Sequence, residues 1–248
     1  MSKEWTFKAL TDIWTGDASG EGVRLIPTGL LGSIRWWFEV LVRGLGGKAC
    51  DPTVDGVRCP AQKKAVHESG RHCVVCQLFG CTGWARKFRF EVFDENGQTK
   101  QRQIKKDETV ILRFTELRPI QPEEWCLLDL TLRLIAEYGA IGGKTVFKPS
   151  DVPNRQNAFH HRDFGLIHIC IPQESRCERA LDDLKIYVQD SQWRQDITYR
   201  YPGNKAYDYS WASLTNFWCV KGRYLTRQDS NRSSFNRVVG REELKHPV

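Results

Sequence analysis

The sequence contains no stretch approaching the roughly 20 apolar residues of a membrane-spanning helix. It also has no internal repeat and no low-complexity tract. A helical membrane protein, a repeat array and a disordered chain are therefore excluded as readings of its main body. No secretory leader precedes the first strand-like pattern, so a reducing, cytoplasmic setting is expected, and with it few structural disulfides. A Walker A loop is absent as well. The stretch Gly139 to Thr145 reads GAIGGKT, but the position where that motif needs its first glycine holds Tyr138. No Ser-His-Asp or Cys-His arrangement stands in a supporting context, and no paired carboxylates stand apart from helix faces.

What is present describes a globular protein with a basic bias. Of 248 residues, 40% are hydrophobic and 27% charged, and the net charge is +7. The excess favours an anionic partner. It is concentrated toward the end: residues 119–190 hold 8 cations against 11 anions, and residues 191–248 hold 10 against 5. Nine tryptophans are many for this length. Most are expected to pack, but Trp84, Trp193, Trp211 and Trp218 stand among Arg, Lys and Tyr, where an indole can stack on a base.

Hydrophobic periodicity orders the elements. Trp5, Phe7 and Ala9 alternate with polar residues, which predicts a strand. Pro27 opens a helical pattern that Gly44, Gly46 and Gly47 close. Its core face is Leu30, Leu31, Ile34, Phe38, Leu41 and Leu45, with Trp37 at the margin. Trp36 falls on the opposite side, with Gly32, Glu39 and Arg43, and Arg35 lies at that side's edge. Phe88, Phe90 and Val92 predict a second strand, Asn96-Gly97 a turn, and Val110, Leu112 and Phe114 a third strand. Pro122 to Gly139 reads as a helix, 163–171 as a strand, and 175–189 and 213–227 as helices. The order through residue 171 is β-α-β-β-α-β, that of ferredoxin-like and RRM-type α+β domains. The expected organisation is a domain at 1–171 with an insertion at 46–83, and a basic region at 172–248 that forms a partial second ferredoxin-like or mainly helical unit.

The insertion carries most of the cysteines. Cys73-Val74-Val75-Cys76 is a C-x-x-C, a spacing that lets two thiolates reach one tetrahedral Zn²⁺ at about 2.3 Å. Its place deep in a long loop argues against a redox motif, which needs a helix start after a strand. A loop this long also needs a staple of its own. Cys59 and His67 are the expected third and fourth ligands, with Cys50, His72 and Cys81 in reserve; Cys81 fills a small-residue slot in a Gly-Cys-Thr-Gly turn.

Arg86, Lys87 and Arg89 interleave with Phe88 and Phe90. If the phenylalanines face the core, the cations form either a solvated strand face or an edge that contacts phosphate. The loop at Gly139 to Thr145 could present backbone N–H groups and Lys144 to a phosphate. His160-His161 is a surface pair, or else the acid–base pair of a ribonuclease.

Three stretches together, TGLLGSIRWWFEVLVRGLGG, CVVCQLFGCTGWARKFRF and YGAIGGKT, resemble the RAMP superfamily, and more narrowly the first RAMP subunit of the Cmr (type III-B CRISPR) effector complex. The resemblance implies an RNA-binding, non-catalytic subunit that contacts the 3′ region of a guide RNA and the target RNA beside other RAMP subunits. It places RNA contacts on the Arg35-Trp36-Trp37 motif and on the glycine loop with Lys144 and Thr145; on the Trp36 face of the same helix, Arg43 two turns on supplies charge for such a contact. The chain departs from the family pattern after that loop, where Val146-Phe147-Lys148-Pro149 replaces a second glycine pair. The alternative from the same superfamily is a metal-independent endoribonuclease that processes guide RNA precursors.

Overall fold

A computed structural model of the protein describes residues 1–17, 22–51, 58–143, 165–170, 177–197 and 212–216. The elements are β1 (Ser2–Ala9), α1 (Pro27–Gly44), α2 (Val74–Phe79), β2 (Phe88–Asp94), β3 (Thr109–Glu116), α3 (Pro122–Tyr138), β4 (Ile167–Ile169) and α4 (Leu181–Gln189), followed by a 3-10 turn at Leu214–Asn216. The strands form one sheet in the order β2-β3-β1-β4, and every neighbouring pair is antiparallel. This is the ferredoxin-like arrangement that the element order predicts.

Register follows from alternation, because a one-residue slip would turn every side chain over. Trp5 pairs with Leu112 and Phe7 with Val110; Phe90 pairs with Phe114, and Val92 with Leu112. All of these are buried on one face of the sheet. α1 and α3 pack against each other and, with this face, enclose a core that includes Ile34, Phe38, Leu128 and Leu132. Each such side chain contributes about 1.5–3 kcal/mol by leaving water. The core also holds a polar tie: Trp5 Nε1 on β1 donates to Asp129 Oδ1 on α3 at 2.8 Å, and the other carboxylate oxygen accepts from Arg133 Nε at 2.9 Å.

The glycines closing α1 do more than end a helix. A Cβ on Gly44 would lie 2.6 Å from the Leu214 side chain, and one on Gly47 would lie 2.8 Å from Val188. They let α4 and the 212–216 segment approach closely, so that Leu184, Val188, Trp193, Ile197 and Ala212 join the same core.

Several elements differ from the sequence expectation. β4 is limited to the three residues that pair with Phe7–Ala9 on β1. α4 begins at Leu181 rather than at 175, where Asp183 Oδ2 accepts from the Ala180 N–H at 3.3 Å and caps the start. Of the helix expected at 213–227, the described part is the 3-10 turn. Cys126 on α3 and Cys177 bring their sulfurs into contact across 51 residues of sequence, a proximity no local spacing announces.

Candidate metal centre

The insertion folds back on α1 rather than standing apart. α2 packs on α1, with the Phe38 and Phe79 rings 5.2 Å apart and edge-on. Cys73 caps α2, its Sγ accepting from the Cys76 N–H at 3.5 Å, and this places both sulfurs of the C-x-x-C at one end of a short helix. The Cys73 N–H donates in turn to Cys59 Sγ at 3.3 Å. Cys50, just past the end of α1, brings its Sγ to 3.4 Å from Cys76 Sγ. The four sulfurs of Cys50, Cys59, Cys73 and Cys76 lie within 4.8 Å of one another, all buried. A tetrahedron with 2.3 Å arms has edges of about 3.8 Å, so the group matches a four-thiolate ion site with little adjustment.

Three of the four expected ligands are therefore together. His67 is not among them: it is exposed, with its ring 6.3 Å from that of Trp84. Cys50 takes the fourth place. The reason is tertiary: α1 ends beside the knuckle, so Cys50, at the start of the insertion, lies nearer the C-x-x-C than His67, which is closer to it in sequence. Cys81 stays outside the four, bridged through its backbone to Trp84.

Without an ion the four thiols share protons unevenly. Burial would raise Cys73, but hydrogen bonds from Cys50, Cys59 and Cys76 bring it well below the ordinary thiol range. Cys76 is pushed upward, first by its hydrogen bond to Cys50. Cys50 is also pushed upward, first by its hydrogen bond to Cys59 and then by that to Cys73. Four buried sulfurs this close are in conflict over their protons. A divalent cation at the centre would remove that conflict.

Two arginines touch this cluster. Arg35 Nη2 donates to Cys76 Sγ at 3.2 Å, its Nη1 to Gly80 O at 2.8 Å and its Nε to Glu39 Oε1 at 3.0 Å. Arg194, beyond α4, lies beside the cluster, its backbone N–H donating to His72 O, one residue before Cys73, at 2.9 Å. Its Nη1 donates to Arg58 O at 2.9 Å. Sequence reasoning missed Arg194 altogether, because nothing local marks it.

The residues expected to contact RNA divide into groups. Trp37 is fully buried, and its Nε1 donates to Ala140 O at 3.3 Å. Arg43 is buried and donates to Ala212 O at 3.1 Å and Ala49 O at 3.4 Å. Lys87 was expected on the open face of a strand. It instead precedes β2 and turns inward, with Nζ 2.7 Å from Glu124 Oε2 at the start of α3. Burial takes these three, as placed here, out of reach of a phosphate. Arg89 is exposed and pairs with Glu91 at 3.0 Å. Arg86 and Trp36 are half-buried, Trp36 lying edge-on to Trp37 at 5.1 Å. Lys144, Thr145, His160 and His161 lie outside the described residues.

The first half of the glycine loop is not a phosphate cradle. The N–H of Ile141 donates to Gly165 O at 2.9 Å, that of Gly142 to Ser33 Oγ at 2.8 Å, and that of Gly143 to Trp14 O at 2.7 Å. Its glycines serve packing: a Cβ on Gly143 would fall 2.3 Å from the Trp14 ring.

Two side chains absent from the expected RNA contacts flank Trp84. Arg118 lies over that indole at 4.6 Å, and His72 stacks on it at 4.6 Å. Arg118 donates to Ala85 O, and Arg71 donates to Lys64 O. His72 is held below the usual histidine range, first by burial and then by the charge of Arg71, with that of Arg118 adding to it. Both guanidinium groups donate to carbonyls, and among the described residues neither pairs with a carboxylate. Trp84 itself is occupied by these neighbours, and Trp193 is buried against Tyr187; Trp211 and Trp218 lie outside the described residues.

A ferredoxin-like domain carrying a cysteine knuckle on its first helix is the class that the fold and the site define. The RAMP superfamily model matches residues 6–147, and the chain belongs to that superfamily. Among solved structures, Cmr1 from Pyrococcus furiosus in its apo form is similar over 69% of this chain, at 13% identity and a TM-score of 0.40. This chain spans half the length of that one. A Csm3–Csm4 subcomplex of the type III-A CRISPR-Cas interference complex is similar over 60% of this chain and 75% of that one, at 16% identity and a TM-score of 0.30. No curated protein matches the sequence. Among the described residues no helix is long and apolar enough to cross a membrane.

Proposed function

We propose that the protein is an RNA-binding, non-catalytic subunit of a type III-B CRISPR effector complex. In this reading it sits in the cytoplasm beside other RAMP subunits and contacts the 3′ region of the guide RNA and the target RNA. Membership of the RAMP superfamily supports it, together with the ordered motifs of α1, the knuckle and the glycine loop. The observation that carries it is Arg118 lying over the Trp84 indole, with Arg71 one residue before the stacked His72 and Arg86 two residues after Trp84. Cations without local counter-charges suit phosphates, which position a nucleic acid without reading its sequence. The buried four-cysteine cluster binds one structural Zn²⁺, which orders the insertion that carries Arg71 and leads into Trp84.

The test is RNA titration of the full chain at several salt concentrations. Neutralising Arg86 and Arg89 to glutamine should weaken binding to all sequences alike. It should also flatten the salt slope by about one to two units, at roughly 0.7 per phosphate on a single strand. An unchanged slope would show that these cations are only solvated. The endoribonuclease alternative predicts cleavage of a repeat RNA that is lost in a His160→Ala/His161→Ala double variant. A purely protein-binding scaffold predicts no RNA affinity.

A further inference from the structure

Four cysteine thiolates around one divalent cation carry a formal charge of minus two, four negative charges against two positive. Here that charge would be enclosed: Cys50, Cys59, Cys73 and Cys76 are each 2% exposed or less, with Val74, Val75 and Leu78 in the same core. A buried charge persists only when paired and hydrogen-bonded. The two arginines described above reach the cluster from parts of the chain with no sequence relationship. Arg35 comes from the middle of α1 and approaches Cys76; Arg194 comes from beyond α4 and is held at the carbonyls of Arg58 and His72, the residues just before Cys59 and Cys73.

Each guanidinium is held in place. Arg35 is fixed by Glu39 and by the Gly80 carbonyl, and Glu39 is itself shared with Arg43 at 3.6 Å. Arg194 is fixed by Arg58 O and by Asp196 Oδ1 at 2.8 Å, and its own N–H donates to His72 O at 2.9 Å, one residue before Cys73. The segment around Arg194 is strapped to the knuckle at two further points. Gly70 N–H donates to Gln192 O at 2.8 Å, and Ser69 Oγ donates to Ser191 O at 3.3 Å.

We propose that Arg35 and Arg194 are positioning residues of the metal site: they hydrogen-bond the thiolates of Cys76 and Cys59, offset their charge, and set how firmly the ion is kept. This rests on the zinc reading above. It moves Arg35 from an RNA contact to a support of the metal centre. It also makes the ion a clasp between the knuckle and the segment at 190–195.

The experiment uses the full chain, purified without chelator, and its Arg35→Gln, Arg194→Gln and Arg194→Lys variants. Zinc transfer to a colorimetric chelator is followed in each, and the charge-transfer band is recorded after cobalt(II) substitution. Both glutamine variants should still bind one ion but hold it about 10–100-fold less tightly, the usual cost of losing an outer partner of a metal ligand. Their sulfur-to-cobalt band should move to lower energy, because a sulfur relieved of a hydrogen bond is a stronger electron donor. Arg194→Lys, which keeps the charge, should recover part of the affinity. Wild-type affinity and an unshifted band in Arg194→Gln would overturn the proposal, and that variant decides the matter if Arg35→Gln does not fold. If the wild-type chain takes up neither zinc nor cobalt, the metal reading itself fails, and the proposal with it.

Discussion

Gly139, at the end of α3, lies so close to the indole of Trp37 on α1 that a Cβ there would stand 2.6 Å from Cζ2. The backbone at Gly139 is extended, with φ −120°, so a side chain would meet no backbone strain, only the ring. Gly139→Ala is therefore expected to destabilise the fold by about 1–3 kcal/mol, as overpacking does. Trp37→Ala, which empties the same contact, should cost about 3–5 kcal/mol. Denaturant unfolding of the two variants checks both values, and a neutral Gly139→Ala would mean the helices part easily at this point.

Trp36, one residue away, should behave differently. It is half-buried and packs edge-on against Trp37. Trp36→Ala is expected to cost less stability than Trp37→Ala, and to weaken RNA binding by about 1–3 kcal/mol if a base stacks there. Thermal melts and an RNA titration at one fixed salt concentration separate the two effects. A variant that melts early and binds normally once folded would make Trp36 a packing residue only.

The buried pair of Lys87 and Glu124 predicts a non-additive pattern. Glu124 is fully buried, and burial raises its carboxyl pKa even against the charge of Lys87. Lys87→Met leaves that carboxylate without its partner and should cost about 3–5 kcal/mol, whereas Lys87→Met with Glu124→Leu should recover most of the loss. Arg89→Gln on the exposed edge should stay within about 0.5 kcal/mol. A double-mutant cycle measured by urea unfolding tests this. Equal effects of Lys87→Met and Arg89→Gln would contradict the inward position of Lys87.

The cysteine cluster makes a contrast of two variants decisive. Protein purified without chelator should contain one zinc per chain. Cys50→Ser should lose it, and His67→Ala should keep it, because His67 lies away from the four sulfurs. Elemental analysis reads both. Metal loss in His67→Ala and retention in Cys50→Ser would restore the ligand set expected from the loop alone.

Much of this molecule is written in short-range pattern. Alternation over Trp5–Ala9 and Phe88–Val92 determines which faces of β1 and β2 are buried, since a strand's side chains repeat every two residues. The helical period and Pro27 determine α1, and the β-α-β-β-α-β order follows from those elements in sequence. The C-x-x-C likewise places two sulfurs together through nothing more than one helical turn. What the sequence could not reveal is where each charged or sulfur-bearing side chain finds its partner. Lys87 and Arg43 look like surface cations in sequence. They are buried because Glu124 lies 37 residues from Lys87 and Ala212 O lies 169 residues from Arg43. Cys50 displaces His67, and Arg194 reaches the carbonyls of Arg58 and His72, for the same reason. Burying such a group is favourable only once a partner is already in place, and that partner is supplied by the closed tertiary structure rather than by its neighbours along the chain.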